Sequence, residues 1–440
     1  MASDLVFGST VPFAEPPWYS RDNSPHYRAS HRKLRAWVRE YVDSEIRPYA
    51  AEWESQESVP AEVYKRHCHL GFSISQPAQK SYMGGLQLPA GITPEEWDGF
   101  HTIIMVDELN RIGYTGVLWG LGGGNGIGCP PITNFGTEEQ KMYYLPRVAR
   151  GEIRFCLGIT EPDAGSDVAN INTTAKRQGD HYVVDGSKKW MTNGIWADYV
   201  TAAVRTGGPG RNGISMLIIP LRSQGVTTRK MQNSGVGASG STFIEFDNVK
   251  VPVENLLGLE NKGFDIIMSS KSPLKYFNPE RLTLACAALR LSRLCCEDSL
   301  SYALTRTTFG KPLISNQSIR AKISKMGQLI EPAWAFLEQL VYTIHISQSQ
   351  NRHINIGGMT ALLKVTATRC LEKCCREAQQ IMGGAGYNRA GKGARIEQIS
   401  RDVRVFVVGG GSEEVMRDLA VAQEMKDMKA IAGVTGRPHL

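Results

Sequence analysis

Histidine and cysteine side chains near residue 67 are the first candidates for chemistry in this sequence. His67-Cys68-His69 offers imidazole and thiolate groups, which are common metal ligands. A metal site needs further ligands at a matching spacing, and no such second half follows, so we expect no metal. The chain has 9 cysteines, none of them in a Cys-x-x-Cys pair, and we expect reduced, mostly buried thiols.

The glycine-rich run GLGGGN at residues 120–125 is a second candidate, because such runs can bind phosphate groups. A dinucleotide loop follows a strand and has the spacing Gly-x-Gly-x-x-Gly. Neither condition is met here, since no β-branched or alternating stretch precedes the run. We therefore predict a tight loop between helices that lets a ligand or a neighbouring backbone approach closely.

The composition indicates a globular protein and excludes several classes. Of the 440 residues, 42% are hydrophobic and 21% are charged, which are ordinary values for a folded chain. The net charge of +7 is spread along the chain, without the concentrated basic face that a nucleic-acid partner favours. No stretch approaches the roughly 18 uninterrupted apolar residues of a membrane span. We expect neither a nucleic-acid partner nor a membrane span.

The elements that must position any site follow from the hydrophobic periodicity, which changes twice along the chain. Apolar residues at three- and four-residue steps predict a helix from residue 30 that Pro48 closes, with further helices to about residue 151. Period-two and β-branched segments then predict a hairpin over 182–191 with an Asp185-Gly186 turn, and strands at 199–205, 214–220 and 242–251. The helical period returns at 279–306, 317–345 and 359–382, with a short last helix after Ser412.

Short stretches in a fixed order carry the most specific signal. They are ITEPDAGSD at 159–167, KWMTNG at 189–194, RTTFGKPL at 306–313 with Gln317, QIMGGAGY at 380–387, and RD at 401–402 leading to GGGSEEV at 409–415. Each could occur by chance, but the ordered series resembles the acyl-CoA dehydrogenase superfamily of flavoproteins from about residue 30 onwards. The resemblance implies FAD-dependent α,β-dehydrogenation of an acyl-CoA thioester to the trans-2-enoyl thioester.

The resemblance also implies a fold. We expect an α+β protein that is mainly α, with an N-terminal helical domain, a middle β domain that is barrel-like or a sandwich, and a C-terminal four-helix bundle. The predicted boundaries are 1–28 for an N-terminal extension, 29–152, 153–258 and 259–440.

The matching stretches imply which residues bind FAD. Thr160 and Thr192 match the family's hydroxyl donors at the flavin pyrimidine edge and N5, and Trp190 matches the tryptophan packed against the isoalloxazine ring. The other residues that the resemblance assigns to the cofactor are Leu157, Ile159, Gly165, Ser166, Arg306, Phe309, Gln317, Gln380, Gly384, Ser412 and Glu414. Two simpler interpretations stay open: Trp190 could fill a core, and Arg306 could be a surface charge.

The catalytic base departs from the commonest family pattern. Most members carry it as the Glu of a Glu-Gly-Thr stretch in the last loop, where this chain has Gly410. A minority branch, similar to isovaleryl- and long-chain-type dehydrogenases, carries it in a Glu-Arg-Leu stretch, and Glu280-Arg281-Leu282 has that form. We predict Glu280 as the base, although an acid after Pro279 also fits a simple helix start. Glu413 and Glu414 are weaker candidates.

Substrate contacts are implied less sharply. The resemblance assigns Ser166, Asn278, Arg281 and the backbone N–H of Gly410 to the substrate. Two departures leave the acyl chain undefined: the segment from Phe264 to Glu280 is longer than in most members, and residues 232–241 lack the usual Ser-Asp-Thr form.

Partners and rival functions follow from the same resemblance. Part of the ADP half of FAD comes from a neighbouring subunit in the family, so we expect a homodimer or homotetramer. Electrons would pass to electron-transfer flavoprotein or, in an oxidase of the same fold, to O2; a flavin-binding relative without catalysis is a further alternative. Pro438-His439-Leu440 loosely matches a peroxisomal address, so we expect a peroxisomal or cytoplasmic protein.

Overall fold

A computed structural model of the chain describes residues 7–21, 24–73, 82–268, 277–350 and 354–435, without the side chains of 277–279, 348 and 430–435. These residues form two compact units. The helical unit lies within Met1–Val42, Asp98–Tyr114 and Ser270–Leu440, and the sheet unit within Asp43–Trp97 and Thr115–Ser269. Among the described residues, no helix combines the length and apolar character needed to cross a membrane.

The α-helices of the described residues extend over both units. They are α1 (Trp18–Arg21), α2 (Ala29–Tyr41), α3 (Ala50–Ser55), α4 (Ala61–His69), α5 (Gly99–Asn110), α6 (Thr115–Gly128), α7 (Pro130–Phe135), α8 (Glu138–Ala149), α9 (Gly263–Ile267), α10 (Phe277–Thr305), α11 (Gln317–Ser349), α12 (Gly357–Met382), α13 (Ala394–Val408) and α14 (Glu413–Thr435). A π-helical turn, Val42–Ile46, continues α2 towards Pro48 as predicted. The last helix is 23 residues long, so the expectation of a short one is wrong.

The strands belong to one main sheet and one small hairpin. They are β1 (Phe155–Gly158), β2 (Thr174–Gln178), β3 (His181–Met191), β4 (Tyr199–Arg205), β5 (Ile214–Pro220), β6 (Val226–Lys230), β7 (Thr242–Pro252), β8 (Leu256–Leu257), β9 (Thr307–Thr308) and β10 (Lys311–Pro312). The main sheet has the order β6-β7-β3-β2-β4-β5-β8, and β1 pairs with β4 in parallel. β2 meets β4 at one residue pair, so two well-paired parts are linked there.

The two parts of the sheet share one apolar core. β4 and β5 are Val-, Ile- and Ala-rich and buried almost throughout, whereas β3 alternates between buried and more exposed positions. The core joins Val184 of β3 and Val249 of β7 with Val200 of β4 and Ile219 of β5. The two strand groups therefore share one apolar core within the middle sheet region that the resemblance implied.

The hairpin predicted at Asp185-Gly186 is wrong, because β3 runs through this position. The pairing of β3 with β7 shifts register between Val184 and Gly186, which marks a β-bulge. Gly186 has φ 139°, and a Cβ there would lie 2.7 Å from Thr173 Cα. The glycine therefore serves a bulge and a close backbone approach rather than a turn.

The glycine run at 120–125 is also not the predicted loop. It lies inside α6, which is interrupted at Gly122 by an extended backbone conformation. The expected reason for the glycines holds, since a Cβ at Gly120 would lie 2.5 Å from Ala238 O and one at Gly124 would lie 2.5 Å from Phe155 O. Close packing therefore selects these glycines, but on a helix instead of a loop.

The helical unit is built on α10, which packs against α5, α11 and α12, while α12 also packs against α14. A buried arginine joins α10 to the N-terminal segment. Arg290 Nε donates to Asp107 Oδ1 at 2.8 Å, and its Nη1 donates to Ala14 O at 3.1 Å and Glu15 Oε2 at 2.8 Å. The described part of the predicted extension is thus packed into the helical unit through a paired, buried charge.

Candidate active site

The loop after β1 carries the first group of predicted cofactor residues. Leu157 lies in β1, and Ile159 and Thr160 follow it with partly exposed side chains. The backbone N–H of Lys189 donates to Thr160 O at 2.9 Å, which joins this loop to the end of β3. Gly165 and Ser166 lie further along the loop and are exposed, where a ligand can reach them.

A buried ion pair holds this loop in place. Lys188 Nζ donates to Glu161 Oε1 at 2.7 Å and to Ile159 O at 3.1 Å. Glu161 also accepts the backbone N–H groups of Asn172 at 2.5 Å and Thr173 at 3.0 Å. The pair therefore ties both ends of the loop to β3, and sequence reasoning missed it because the contact joins positions 27 residues apart.

Burial and pairing act in opposite directions on these charges. Burial lowers the pKa of Lys188 to about 8 in spite of the neighbouring carboxylate. Burial alone would raise the pKa of Glu161, but the Lys188 ammonium and the hydrogen bonds shift it downward overall. Both groups are therefore charged at neutral pH, and neither is left unpaired.

Trp190 and Thr192 form the second group, at the end of β3. Trp190 has φ 71° and is 52% exposed, so it does not fill a core. Lys189 Nζ lies 4.9 Å from the centre of the Trp190 ring. Thr192 is partly exposed, and a Cβ at Gly123 of α6 would lie 3.3 Å from its Cγ2. An exposed aromatic ring beside a hydroxyl group suits a flat, polar ligand.

Asn193 fixes this turn. Its Oδ1 accepts the Gly124 N–H at 2.7 Å, and its Nδ2 donates to Trp119 O at 3.0 Å and to Ser239 O at 2.9 Å. Its backbone has φ 63°, a conformation that asparagine tolerates better than most residues. One buried side chain therefore joins the turn to α6 and to the segment around Ser239.

That segment, 232–241, is held by a glutamate that sequence reasoning did not identify. Glu54 of α3 accepts the backbone N–H of Gly237 at 2.6 Å and of Ala238 at 3.4 Å. A Cβ at Gly116 in α6 would lie 2.2 Å from Glu54 Oε2. The segment without the usual Ser-Asp-Thr form is thus anchored through its backbone to a buried carboxylate.

In the helical unit, the predicted ADP-binding residues lie on exposed positions. Phe309 and Gly310 form the two-residue turn between β9 and β10, with φ 50° and 73°. Phe309 is fully exposed, and Arg306 and Gln317 are exposed as well. An exposed Arg306 is compatible both with a cofactor contact and with a simple surface charge. A fully exposed phenylalanine at the tip of a tight turn favours contact with a ligand or another chain.

The end of α12 carries the other predicted ADP contacts. Gln380 is exposed, and Gly384 follows the helix with open space where a Cβ would stand. Tyr387, which was not predicted as a site residue, is 86% exposed in the same turn. The signal for it was already in the sequence, because it closes the QIMGGAGY stretch.

Glu280 and Gly410 come together in the helical unit. A Cβ at Gly410 would lie 4.0 Å from Glu280 Oε1 and 2.8 Å from Leu284 Cδ1, and Gly410 has φ +66°. Burial raises the pKa of Glu280 above its usual range, although Arg281 and Lys364 pull it down. A carboxyl group from α10 therefore lies beside Gly410, the position that the resemblance aligns with the more common base.

Two cations hold the glycine turn beside Glu280. Arg281 is 7% exposed, and its Nε donates to Gly410 O at 3.3 Å. Lys364 of α12 donates from Nζ to Val407 O at 2.6 Å and to Gly411 O at 2.8 Å. The predicted substrate contact Arg281 thus binds the turn.

The other acidic residues near the turn are paired with arginines or exposed to solvent. Arg369 Nε donates to Glu413 Oε2 at 2.8 Å, and Arg417 lies 3.0 Å from Glu413 Oε1. The Arg369 hydrogen bond holds the pKa of Glu413 below its usual value, which makes it a weak base. Glu414 is exposed in the first turn of α14, directly after Ser412 and Glu413.

Some predicted features lie outside the described residues. They are the side chain of Asn278, the middle of the long segment between Phe264 and Glu280, and Pro438-His439-Leu440.

Among the described residues, one group of potential metal ligands does come together, and it is not His67-Cys68-His69. His31, Asp98 and His101 have ligand atoms within 4.8 Å of one another. His31 Nδ1 accepts the Arg28 N–H at 2.9 Å, and His101 Nδ1 accepts the Asp98 N–H at 3.1 Å. These contacts cap α2 and α5, so helix capping accounts for the group.

Comparison with known proteins agrees with this architecture. Family models described as the N-terminal, middle and C-terminal domains of acyl-CoA dehydrogenase match residues 28–152, 156–249 and 261–425. The predicted α+β fold, with a sheet region between helical regions, and the predicted enzyme class are confirmed by these matches.

Individual relatives are similar over nearly the whole chain. Acyl-CoA dehydrogenase AFT10-1 of Alternaria alternata is 51% identical over 96% of this chain and 98% of its own length. Acyl-CoA dehydrogenase apdG of Emericella nidulans is 41% identical over 98% and 99%. The crystal structure of an acyl-CoA dehydrogenase from Geobacillus kaustophilus has a TM-score of 0.81 at 29% identity, covering 91% of this chain and 99% of that one. These matches show that the chain belongs to the acyl-CoA dehydrogenase family of oxidoreductases.

Proposed function

We propose that this protein is an FAD-dependent acyl-CoA dehydrogenase that uses Glu280 as its base and converts an acyl-CoA thioester to the trans-2-enoyl thioester. One observation supports the assignment of Glu280 as the base. The Glu280 carboxyl group stands beside Gly410, and burial raises its pKa. The loop that usually supplies the base has no carboxylate at position 410, and the nearby Glu413 is paired with two arginines.

The residues assigned to FAD fit its chemistry. Trp190 presents a half-exposed ring, and Thr160 and Thr192 present partly exposed hydroxyl groups that can donate to the flavin edge. Arg306 and Phe309 offer an exposed guanidinium for phosphate and an exposed ring. Held by these residues, FAD would supply the hydride acceptor for the β-hydrogen of the substrate. Leu157, Ile159, Gly165, Ser166, Gln317, Gln380, Gly384, Ser412 and Glu414 complete the proposed cofactor contacts.

Glu280 removes the α-proton. That proton is a weak acid, so the thioester carbonyl has to be polarised by positioned donors, and the Gly410 backbone N–H is the proposed donor from this chain. A raised pKa makes a carboxylate a stronger base and brings its titration closer to neutral pH. Glu280 itself is only partly buried, so the bound substrate and cofactor would have to exclude water from the reacting atoms.

We further propose that the protein works as a homodimer or homotetramer. α14 exposes the apolar side chains Val421, Met425 and Met428 at helical spacing, between 51% and 60% exposed. An apolar helix stripe of this kind is a typical subunit contact. Either electron-transfer flavoprotein or O2 is the proposed electron acceptor.

The test is anaerobic bleaching of the flavin absorbance by a panel of acyl-CoAs. The wild-type protein should purify yellow and be bleached by at least one chain length. Glu280→Gln should slow bleaching by about 10²–10⁴-fold, the usual contribution of a general base. Glu413→Gln on α14 is the matched control and should bleach at nearly the wild-type rate.

Several results would contradict the proposal. A colourless protein that binds no added FAD would exclude FAD as the cofactor. Rapid bleaching of the Glu280→Gln variant would exclude Glu280 as the base. Hydrogen peroxide formation from acyl-CoA in air, without another acceptor, would identify an oxidase instead. Flavin binding with no bleaching by any thioester would indicate a non-catalytic relative.

A further inference from the structure

Lys364 is a buried cation whose side chain donates hydrogen bonds on both sides of the Gly409–Gly411 turn. Its side chain is fully buried on α12, and it donates to Val407 O at 2.6 Å and Gly411 O at 2.8 Å. Val407 belongs to the last turn of α13, where carbonyl groups lack helical partners and a positive charge is favourable. A buried ammonium is costly unless it is paired in this way.

The two anchored carbonyls flank the peptide that carries the Gly410 N–H. Arg281 binds the intervening carbonyl, Gly410 O, from α10. The backbone at Gly410 and Gly411 is left-handed, with φ +66° and +106°, a conformation that favours glycine. A glycine turn has no side chains of its own to fix its peptide planes, so the donors of Arg281 and Lys364 have to orient them.

The same ammonium is part of the electrostatic surroundings of Glu280. The charges that act on this carboxyl group are Arg281 on its own helix and Lys364 on α12, and both lower its pKa against the effect of burial. Glu413 of α14 acts on Lys364 and is itself neutralised by arginines. Burial, with the nearby guanidinium of Arg281, lowers the pKa of Lys364 to about 8, so it is mostly protonated at neutral pH.

We propose that Lys364 is a positioning residue of the active site, which orients the Gly409–Gly411 turn and supplies a positive charge that favours the carboxylate form of the partly buried Glu280. The inference rests on the proposed role of Glu280 as the base. Lys364 contacts neither substrate nor cofactor in this proposal; it acts through the turn and through Glu280.

The test separates charge from hydrogen bonding. Lys364→Gln keeps an N–H donor and removes the charge, whereas Lys364→Arg keeps both. Lys373→Gln is the matched control, because Lys373 lies on the same helix and pairs with Glu377 at 3.2 Å. For each flavin-loaded variant, the rate of flavin bleaching by acyl-CoA is measured as a function of pH.

In Lys364→Gln, the pH at which the bleaching rate falls on the acidic side should rise by about one pH unit. The reason is that the Glu280 carboxylate loses a stabilising opposite charge. Lys364→Arg and Lys373→Gln should keep the wild-type value. A merely structural role would lower the rate or the stability without changing this pH. A Lys364→Gln profile that coincides with the wild type, or an equal shift in Lys364→Arg, would overturn the inference.

A second readout does not depend on turnover. The infrared band of the protonated Glu280 carboxyl group, identified by its loss in Glu280→Gln, should persist to higher pH in Lys364→Gln than in the wild type. If the wild-type protein is bleached by no acyl-CoA, the proposed function fails, whatever the infrared titration shows. If the wild type is bleached and both titrations are unchanged in Lys364→Gln, the inference about Lys364 alone fails.

Discussion

At the scale of single residues, Gly410 and Glu280 are best understood together. A Cβ at position 410 would stand 4.0 Å from the Glu280 carboxyl oxygen, so both positions give access to the same small volume. If Glu280 is the base as proposed, the carboxylate lies at a different position in the sequence from that of most family members but close to Gly410 in space. The glycine then provides a turn with a positive φ that other residues adopt only with strain.

This arrangement predicts that the base can be moved. In a Glu280→Gly background, adding Gly410→Glu should raise the rate of flavin bleaching at least tenfold over Glu280→Gly alone, because the new carboxylate enters the same volume. The positive φ should cost about 1–2 kcal/mol of stability. The control is Gly410→Gln in the same background, and equal rates for the Glu and Gln variants would contradict the prediction.

His67 is a second residue whose surroundings decide its chemistry. It is fully buried and stacks on Phe72, with ring centres 4.6 Å apart. Burial lowers its pKa to about 3, so it stays neutral in the folded protein. The interpretation of His67-Cys68-His69 as a metal cluster loses its basis, because His69 is exposed on the opposite side of the same turn.

The pH dependence of stability follows from this shift. Between pH 6.5 and about 3 the unfolded chain binds a proton at His67 and the folded chain does not, so stability falls as the pH falls. At pH 5.5 this amounts to about 1.4 kcal/mol. Thermal or urea unfolding at pH 7.5 and 5.5 should show a smaller loss for His67→Gln than for the wild type. His69→Gln is the exposed control, and an unchanged loss in His67→Gln would refute the prediction.

At the scale of elements, the loop after β1 depends on a charge pair inside the sheet unit. Lys188 of β3 and Glu161 of the loop are both buried, at 0% and 5% side-chain exposure. Removing one partner of such a pair leaves an isolated buried charge, whereas removing both does not. Thr160 precedes Glu161 directly, so the pair also sets the position of a proposed flavin contact.

Lys188→Met should therefore destabilise the protein by about 3–5 kcal/mol and reduce its flavin content. The double variant Lys188→Met/Glu161→Gln should recover a large part of the stability. Unfolding curves and the ratio of flavin to protein absorbance measure both effects, and Lys176→Met, on an exposed position of β2, is the control. A double variant less stable than Lys188→Met would show that the pair is not coupled as described.

At the scale of the whole molecule, the exposed apolar stripe on α14 predicts assembly. Replacing Met425 and Met428 by Glu should shift the particle mass in light scattering towards a smaller species, because charges desolvate poorly in an apolar contact. Flavin content should fall with it if a neighbouring subunit completes the ADP site. Met142→Glu, at a similarly exposed methionine of α8, is the control. An unchanged mass in the α14 variant would rule out this stripe as the contact.

Local patterns predicted most of the elements. α10, α11 and α12 carry long apolar periods, and they begin within two residues of the predicted starts. Besides the length of the last helix, two errors lie at glycines: Asp185-Gly186 has the composition of a turn, and the run at 120–125 has that of a loop. In both places a close neighbour, Thr173 or Ala238, selects glycine inside a regular element, and no local pattern reports such a neighbour.

Periodicity and motif order are properties of neighbouring residues, so the family, most of the helices and strands, and the candidate stretches can be read from the chain without coordinates. The groups that hold those stretches are visible only in the folded chain: Lys188 binds the first loop, Glu54 binds the segment around Gly237, and Lys364 binds the glycine turn. Each of these is a buried charge paired across a long stretch of chain. Burial and pairing exist only once distant segments have come together, and they are what sets the charge and position of each group.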